Sequence, residues 1–184
     1  IHCGATERAQ DRVSAMLRQD PMHFGVHVTG CPSIDLAAEA MRLGPLPSKD
    51  VIVLQHSVTN EAALAGEQMR ATIAAVGTDA LYFWPGEDAG GSAMVKELRL
   101  AGIHPVRNLP PLEFLRTLLG AKVLVGNSSV GIRECSYLGV PVVNIGTREQ
   151  GRERAGNVMD IYAHDAQAIR AAVRIHRVVP SKSF

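Results

Sequence analysis

The chain alternates short apolar runs with longer stretches in which apolar residues recur every three or four positions. The short runs, rich in Val, Ile and Leu, predict strands at 26–29, 50–55, 80–84, 104–107, 123–125 and 140–145. The longer stretches predict helices at 5–17, 34–43, 61–76, 91–101 (capped by Ser92), 112–119, 132–138 and 165–177. Strands that are apolar throughout are buried on both faces. The alternation therefore predicts an α/β, Rossmann-like fold in which helices cover both faces of a parallel sheet.

Composition narrows the class of protein. The length of 184 residues suits one domain, or one domain with part of another, and 46% hydrophobic residues exclude a disordered chain. A net charge of +1 gives no reason to expect a nucleic-acid partner. No apolar run reaches the roughly 18 residues of a membrane span, so we expect no membrane partner. Cys3, Cys31 and Cys135 lack C-x-x-C spacing, which predicts reduced thiols in the cytoplasm rather than disulfides or zinc.

Polar or glycine-rich turns follow four of the predicted strands. His56 follows the strand at 50–55, and Gly86 opens the turn after 80–84. Ser128 and Ser129 follow the strand at 123–125, and Arg148 follows 140–145. Ligands of parallel α/β sheets bind beyond the carboxyl ends of the strands. We therefore expect these side chains to surround one ligand at a single edge of the sheet.

Ser128 and Ser129 stand where a helix is predicted to begin. Unpaired backbone N–H groups and hydroxyls at such a helix start attract phosphate. Glu134, one turn further on, can accept hydrogen bonds from sugar hydroxyls, as an acidic residue does in other nucleotide folds. The alternative interpretation is a serine that only caps a core helix.

His56 and Arg148 supply the remaining polar chemistry. An imidazole can donate to phosphate or act as an acid or base, which makes His56 a candidate catalytic residue. A guanidinium binds phosphate or a ribose diol through a rigid fork of donors. The alternatives are a histidine that only hydrogen-bonds its own loop and an arginine on a solvated face.

Two further loops follow predicted strands. The glycine-rich turn at 86–91 carries Glu87 and Asp88, and paired carboxylates can bind a metal ion. No His or Cys stands at useful spacing, which favours a solvated turn, so we expect no metal. The stiff loop at 107–111 contains Leu109, and its backbone can meet a flat base in a pocket. By itself that loop predicts only a turn.

These motifs, in this order, resemble the carboxyl-terminal half of the UDP-N-acetylglucosamine 2-epimerase family. The most specific of them are GNSSVGIRE at 126–134 and GTREQGR at 146–152. Both are closest to the hydrolysing branch, which feeds sialic-acid and legionaminic-acid synthesis, whereas the motifs of the non-hydrolysing branch fit poorly. Ser57 stands where the family usually has Pro, and Gly86 where it usually has Asn.

The resemblance implies a two-domain fold similar to GT-B glycosyltransferases, with UDP in the cleft between the domains. Residues 1–30 correspond to the end of the amino-terminal domain and residues 31–184 to the UDP-binding domain. The UDP-contacting positions fall on His56, Ser128, Ser129, Glu134 and Arg148, with Leu109 near the uracil and Gly86 at a position that usually contacts the nucleotide or sugar.

The resemblance also implies a reaction. UDP is eliminated across the C1–C2 bond of UDP-N-acetylglucosamine or a related sugar, and hydration gives a free N-acetylmannosamine-type sugar without a cofactor. The proton-transferring carboxylates belong mainly to the amino-terminal domain, so we expect this chain alone to be inactive. Because the family generally forms homo-oligomers through that domain, we also expect the intact protein to be a homo-oligomer. The alternatives are a non-hydrolysing epimerase, a GT-B glycosyltransferase and a non-catalytic nucleotide-binding module.

Overall fold

The structure is a computed structural model that describes residues 1–17 and 25–176. The strands in these ranges are β1 (His2–Gly4), β2 (Val26–Val28), β3 (Val51–Leu54), β4 (Leu81–Tyr82), β5 (Val123–Gly126), β6 (Val142–Ile145) and β7 (Val158–Ile161). The α-helices are α1 (Glu7–Leu17), α2 (Ser33–Leu43), α3 (Ala65–Val76), α4 (Gly91–Leu100), α5 (Pro111–Leu119), α6 (Glu134–Leu138) and α7 (Ala166–Ile175). The predicted end of the last helix, at 177, lies outside the described residues.

Five strands form one parallel sheet in the order β4-β3-β5-β6-β7. Its strands β5 and β6 are buried along their whole length and are mainly apolar, although Asn144 lies within β6. Helices α3, α4 and α7 cover one face around Met69 and Ile169, and helices α2, α5 and α6 cover the other around Leu118 and Cys135. Burying a side chain such as Leu118 stabilises the fold by about 2 kcal/mol. The arrangement confirms the predicted α/β, Rossmann-like class.

A second, smaller sheet lies outside this layer structure. β1 and β2 pair in parallel, with His2 opposite Val26, and neither strand joins the five-stranded sheet. Helix α1, which follows β1, has no fully buried residue. The Thr6 hydroxyl donates a 2.6 Å hydrogen bond to the Glu153 carboxylate. This contact connects the segment after β1 with the loop after β6.

The helices begin differently from the prediction at three places. The stretch 61–76 covers most of a 3₁₀ helix, Thr59–Leu64, and then α3, and the backbone inside the 3₁₀ helix is non-helical at Glu61, where φ is −118°. The stretch 132–138 is helical only from Glu134, after a separate 3₁₀ helix at Ser129–Gly131. Ser92 does not cap α4, since the residue before that helix is Gly90, whose φ is +93° and whose lack of a Cβ permits the turn.

The observed strands also differ from the predicted ones at the edges of the sheets. The predicted strand at 104–107 is reduced to a single bridge between Phe83 and Val106. β7 was not predicted, because Asp160 interrupts its apolar pattern and the whole strand is only half-buried. β1 was not predicted either. None of the helices in residues 1–17 and 25–176 has the length and apolar composition that crossing a bilayer requires.

Candidate functional site

Asn127 joins the carboxyl ends of β3 and β5. Its buried side chain accepts a hydrogen bond at Oδ1 from the His56 backbone N–H (2.7 Å) and donates from Nδ2 to the His56 carbonyl (2.8 Å). One residue earlier, Gly126 has a φ of +146°, and a Cβ there would lie 2.0 Å from the Leu54 carbonyl oxygen. The two strand ends therefore lie so close together that His56 and the turn after β5 share one small region.

The His56 imidazole is oriented by the turn after β4. Its Nδ1 lies 2.8 Å from the Pro85 carbonyl oxygen and donates to it, which leaves Nε2 as the unprotonated nitrogen of a neutral ring. Burial lowers the pKa of His56, and the positive charge of Arg148 acts in the same direction. The Pro85 hydrogen bond and the carboxylates of Asp88 and Glu149 oppose this. The imidazole can therefore accept a hydrogen bond or a proton at neutral pH.

Gly86 is directly beside this imidazole. Its φ is +89°, and a Cβ built on it would lie 3.4 Å from the His56 Nδ1. The conformation strains any residue with a side chain. The structure therefore brings Gly86 and His56 together.

Arg148, in the loop after β6, reaches the same region. Its Nη1 donates to the Asn127 carbonyl (3.1 Å) and to Oε1 of Glu149 (2.9 Å). A third of its side chain is exposed, on the wall of an open cavity of about 530 Å³. The other residues that line this cavity are Ser57, Val58, Thr59, Asn60, Asp88, Thr147 and Gln150. A guanidinium with free donors in a cavity of this kind suits an anionic ligand.

The remaining predicted residues surround this centre less directly. Ser128 follows Asn127, is half-buried, and its side chain makes no capping hydrogen bond, although its position before a 3₁₀ helix is that of a cap. Ser129 and Glu134 are half-buried, and their side chains make no hydrogen bond or ion pair within the described ranges. Leu109 packs against the core on the face of α5. The structure thus joins His56, Gly86 and Arg148 directly, and Ser128 only through its neighbour.

The sequence prediction missed a polar network behind the loop that carries Arg148. The Glu61 carboxylate accepts from Thr147 (3.2 Å) and from Gln68 on α3 (2.7 Å). Deeper in, the Thr72 hydroxyl donates to Gln55 at the end of β3 (2.6 Å). The only signal for such residues in the sequence is a polar side chain inside or beside an apolar run. Glu149 was also missed as a buried partner of Arg148.

Two other cavities border on these loops. One of about 660 Å³ lies beside Gly86 and the start of α4, and one of about 340 Å³ lies between α1 and the loop after β6. The second is lined by the guanidinium-bearing residues Arg8, Arg12, Arg133 and Arg152. Within residues 1–17 and 25–176, no three His, Cys, Asp or Glu side chains are grouped as metal ligands are.

The sequence matches the model of a known family, described as UDP-N-acetylglucosamine 2-epimerase, over residues 1–181. Over 174 residues it is 29% identical to the UDP-N-acetylglucosamine 2-epimerase of Neisseria meningitidis, a match that covers 86% of this chain and 45% of that protein.

Two other relatives match over a similar stretch. Identity is 29% over 177 residues with the UDP-N,N'-diacetylbacillosamine 2-epimerase (hydrolyzing) of Legionella pneumophila, covering 87% of this chain and 46% of the relative. The identity is 24% over 179 residues with the polysialic acid biosynthesis protein P7 of Escherichia coli, a match that covers 88% of this chain and 45% of that protein. The chain thus spans about half the length of the curated relatives it matches.

Proposed function

The chain belongs to the UDP-N-acetylglucosamine 2-epimerase family, and we propose that it is the UDP-binding part of a hydrolysing 2-epimerase. The intact protein converts UDP-N-acetylglucosamine, or a related UDP-2-acetamido sugar, to a free N-acetylmannosamine-type sugar and UDP. Residues 31–184 form the UDP-binding domain in this proposal, and residues 1–30 end the preceding domain. The separate β1–β2 sheet supports that division.

The observation that carries the proposal is the junction at Asn127, where His56 and Arg148 meet at the carboxyl edge of the sheet. In the proposed complex the diphosphate lies against the free donors of Arg148 and the hydroxyls of Ser128 and Ser129. Within the described part of the chain, neither hydroxyl makes a hydrogen bond that would occupy it. His56 and Gly86 border the same space; because Nδ1 of His56 donates to the Pro85 carbonyl, its Nε2 can donate to a diphosphate oxygen only when the imidazole is protonated.

The nucleoside end of UDP follows from the resemblance. Glu134, whose carboxylate has no partner within the described ranges, accepts from the ribose hydroxyls. Leu109 lies on the loop near the uracil. These two assignments need the ligand to extend from the junction at Asn127 along the turn after β5 and towards α5.

The proposed chemistry depends on the departure of UDP. A proton leaves the sugar C2 while the C1–O bond to the diphosphate breaks, which gives a glycal and UDP. Water then adds across the double bond, its oxygen to C1 and a proton to C2, with inversion at C2. No redox change occurs, so no cofactor is required. Donors already in position stabilise the charge that develops on the diphosphate oxygens.

The hydrolysing branch is favoured over the alternatives by the two motifs at 126–134 and 146–152. A related protein from Legionella pneumophila also carries a hydrolysing activity in its name. Analysis of the products by NMR separates the possibilities. Free N-acetylmannosamine or a diacetamido relative supports hydrolysis, an epimerised UDP-sugar supports the non-hydrolysing reaction, and a new glycoside supports a glycosyltransferase. UDP binding without any turnover supports the non-catalytic module.

The binding site itself is tested by replacing Arg148. We expect Arg148→Ala in the intact protein to weaken UDP binding at least about thirtyfold, because charge-assisted hydrogen bonds to phosphate are lost. Isothermal titration calorimetry measures the affinity. The matched control is Arg42→Ala on α2, whose side chain is 72% exposed and forms a 3.8 Å ion pair with Glu39. Equal UDP affinity in Arg148→Ala and the unchanged protein would remove the diphosphate assignment.

A further inference from the structure

Glu149 is a buried carboxylate placed between two arginines. Only 1% of its side chain is exposed. Its Oε1 accepts a hydrogen bond from Nη1 of Arg148 (2.9 Å), and its Oε2 lies 2.8 Å from Nε of Arg152 without a hydrogen-bonding angle. A carboxylate removed from water this completely is tolerated only when positive groups compensate for its lost hydration.

The backbone at Glu149 is also fixed. Its carbonyl accepts from Nη2 of Arg154 (2.8 Å), and the Arg154 guanidinium in turn pairs with Asp160 on β7 (3.1 Å). The Asp160 carboxylate accepts from Asn144 on β6 (2.6 Å). The position of the Glu149 carboxylate is therefore set by two strands of the sheet and not by the loop alone.

This placement has a consequence for Arg148. Its Nη1 is held from the protein side by Glu149 and by the Asn127 carbonyl, while the exposed third of the side chain faces the cavity. The remaining guanidinium donors make no hydrogen bond within the described residues, so they stay available to a ligand. The loss of side-chain entropy on ligand binding is reduced because the fork is already oriented.

We propose that Glu149 is a positioning residue that orients Arg148 towards the diphosphate and limits, through its negative charge, how tightly UDP is held. The inference rests on the proposed function. In this proposal the negative charge of Glu149 lies behind the Arg148 guanidinium, on the side away from the diphosphate. It therefore reduces the positive electrostatic potential at the diphosphate. An enzyme that releases UDP as a product gains from this, because tighter UDP binding slows release.

The variant Glu149→Gln, made in the intact protein, tests whether the negative charge of Glu149 limits UDP affinity. The amide oxygen of Gln still accepts from Arg148, but the negative charge is gone. We expect UDP to bind at least about tenfold more tightly, because at an effective dielectric constant of about 20 a unit charge within about 12 Å of a ligand charge changes the binding free energy by about 1.4 kcal/mol or more. Uridine, which carries no phosphate, should bind within about twofold of its unchanged affinity. Titration calorimetry with both ligands measures this.

The orientation is tested by comparing Glu149→Gln with Glu149→Met. Both variants lack the charge and match the length of the side chain, but Met offers no oxygen to Arg148. We expect Glu149→Met to bind UDP about tenfold more weakly than Glu149→Gln, with uridine affinity again unchanged. A role in folding alone would move the affinities for UDP and uridine together. Circular dichroism checks that the variants are folded.

The outcomes separate this inference from the proposed function. If Arg148→Ala weakens UDP binding while both Glu149 variants bind UDP like the unchanged protein, the role of Glu149 is overturned and the site stands. Weaker UDP binding by Glu149→Gln would contradict the claim that the negative charge limits UDP affinity. Equal UDP affinity of Glu149→Gln and Glu149→Met would contradict the claim that the side-chain oxygen orients Arg148. If Arg148→Ala also binds UDP normally, the proposed site itself is lost.

Discussion

His56 ends β3 in surroundings that disfavour its charged form. Burial is the main cause that lowers the pKa of the imidazole below its ordinary value of 6.5, and Arg148 adds to this, while the Pro85 hydrogen bond and the nearby carboxylates oppose it. Burial also lowers the pKa of His164, whose ring lies against Gly146. Above pH 6.5 both imidazoles are neutral in the folded and the unfolded protein. As the pH falls through 6.5, the unfolded chain binds protons that the folded protein does not.

We therefore expect the free energy of unfolding to fall as the pH drops from about 7 through 6.5 and to level off below the lowered pKa values of the folded protein. Urea unfolding between about pH 5 and about pH 8 measures this dependence. His56→Asn, whose amide can replace the Nδ1 donor, should make it shallower. A dependence that persists unchanged in both His56→Asn and His164→Gln would show that other groups cause it.

The sequence alone selected the candidate residues that directly follow predicted strands. His56 and Arg148 each follow an apolar strand directly, so the carboxyl-edge rule of parallel sheets was sufficient to select them. Asn127 was not selected as an organising residue, because its hydrogen bonds go to His56, 71 positions earlier. Nothing in the sequence around Glu149 indicated that its carboxylate is buried. Its burial depends on Arg154 and Asp160, which no local pattern relates to it.

At the scale of elements, the close pairing of β3 and β5 depends on a glycine. Gly126 has a φ of +146°, and any Cβ there would overlap the Leu54 carbonyl oxygen at 2.0 Å. The strands pair in register up to this point, with Leu54 opposite Gly126. A side chain at this position must either separate the strands or break the turn that carries Asn127. The geometry of the site is thus built into the sheet.

We expect Gly126→Ala to cost at least about 4 kcal/mol of unfolding free energy, since it combines backbone strain with a steric overlap. The matched control is Gly139→Ala. Gly139 also has a positive φ, +71°, but a Cβ there meets no atom within 4 Å. That variant should lose only about 1–2 kcal/mol, the strain of the left-handed conformation. Urea unfolding compares the two, and equal losses would contradict the steric argument.

The elements themselves were predictable in proportion to their burial. The strands β5 and β6 are buried on both faces and appear in the sequence as mainly apolar runs, with Asn144 the polar residue of β6. β7, at the edge of the sheet, carries Asp160 and is half-buried, so its pattern does not distinguish it from a loop. The 3₁₀ helix at Thr59–Leu64 was read as part of a longer helix, because periodicity does not register the backbone kink at Glu61.

At the scale of the whole molecule, the groups proposed to hold UDP all come from one edge of one sheet. They lie in the turns after β3, β4, β5 and β6, at the first residue of α6 (Glu134), and in the loop before α5. The small β1–β2 sheet and α1 stand apart, with the arginine-lined cavity between α1 and the loop after β6. A sugar attached to UDP at this edge needs acid and base groups on its other side. Among the residues that the structure describes, the only carboxylate lining the cavity beside Arg148 is that of Asp88, in an exposed turn.

We therefore expect the 184-residue chain alone to bind UDP but not to turn over a UDP-sugar. Binding requires only the donors around Asn127, whereas loss of the C2 proton requires a base that, by the family resemblance, belongs mainly to the amino-terminal domain. Titration calorimetry should detect UDP binding that Arg148→Ala removes, which shows that the site is intact. NMR of the same sample with UDP-N-acetylglucosamine should show no free sugar. Release of N-acetylmannosamine by this chain would place the proton-transferring groups within residues 1–184, with His56 the first candidate.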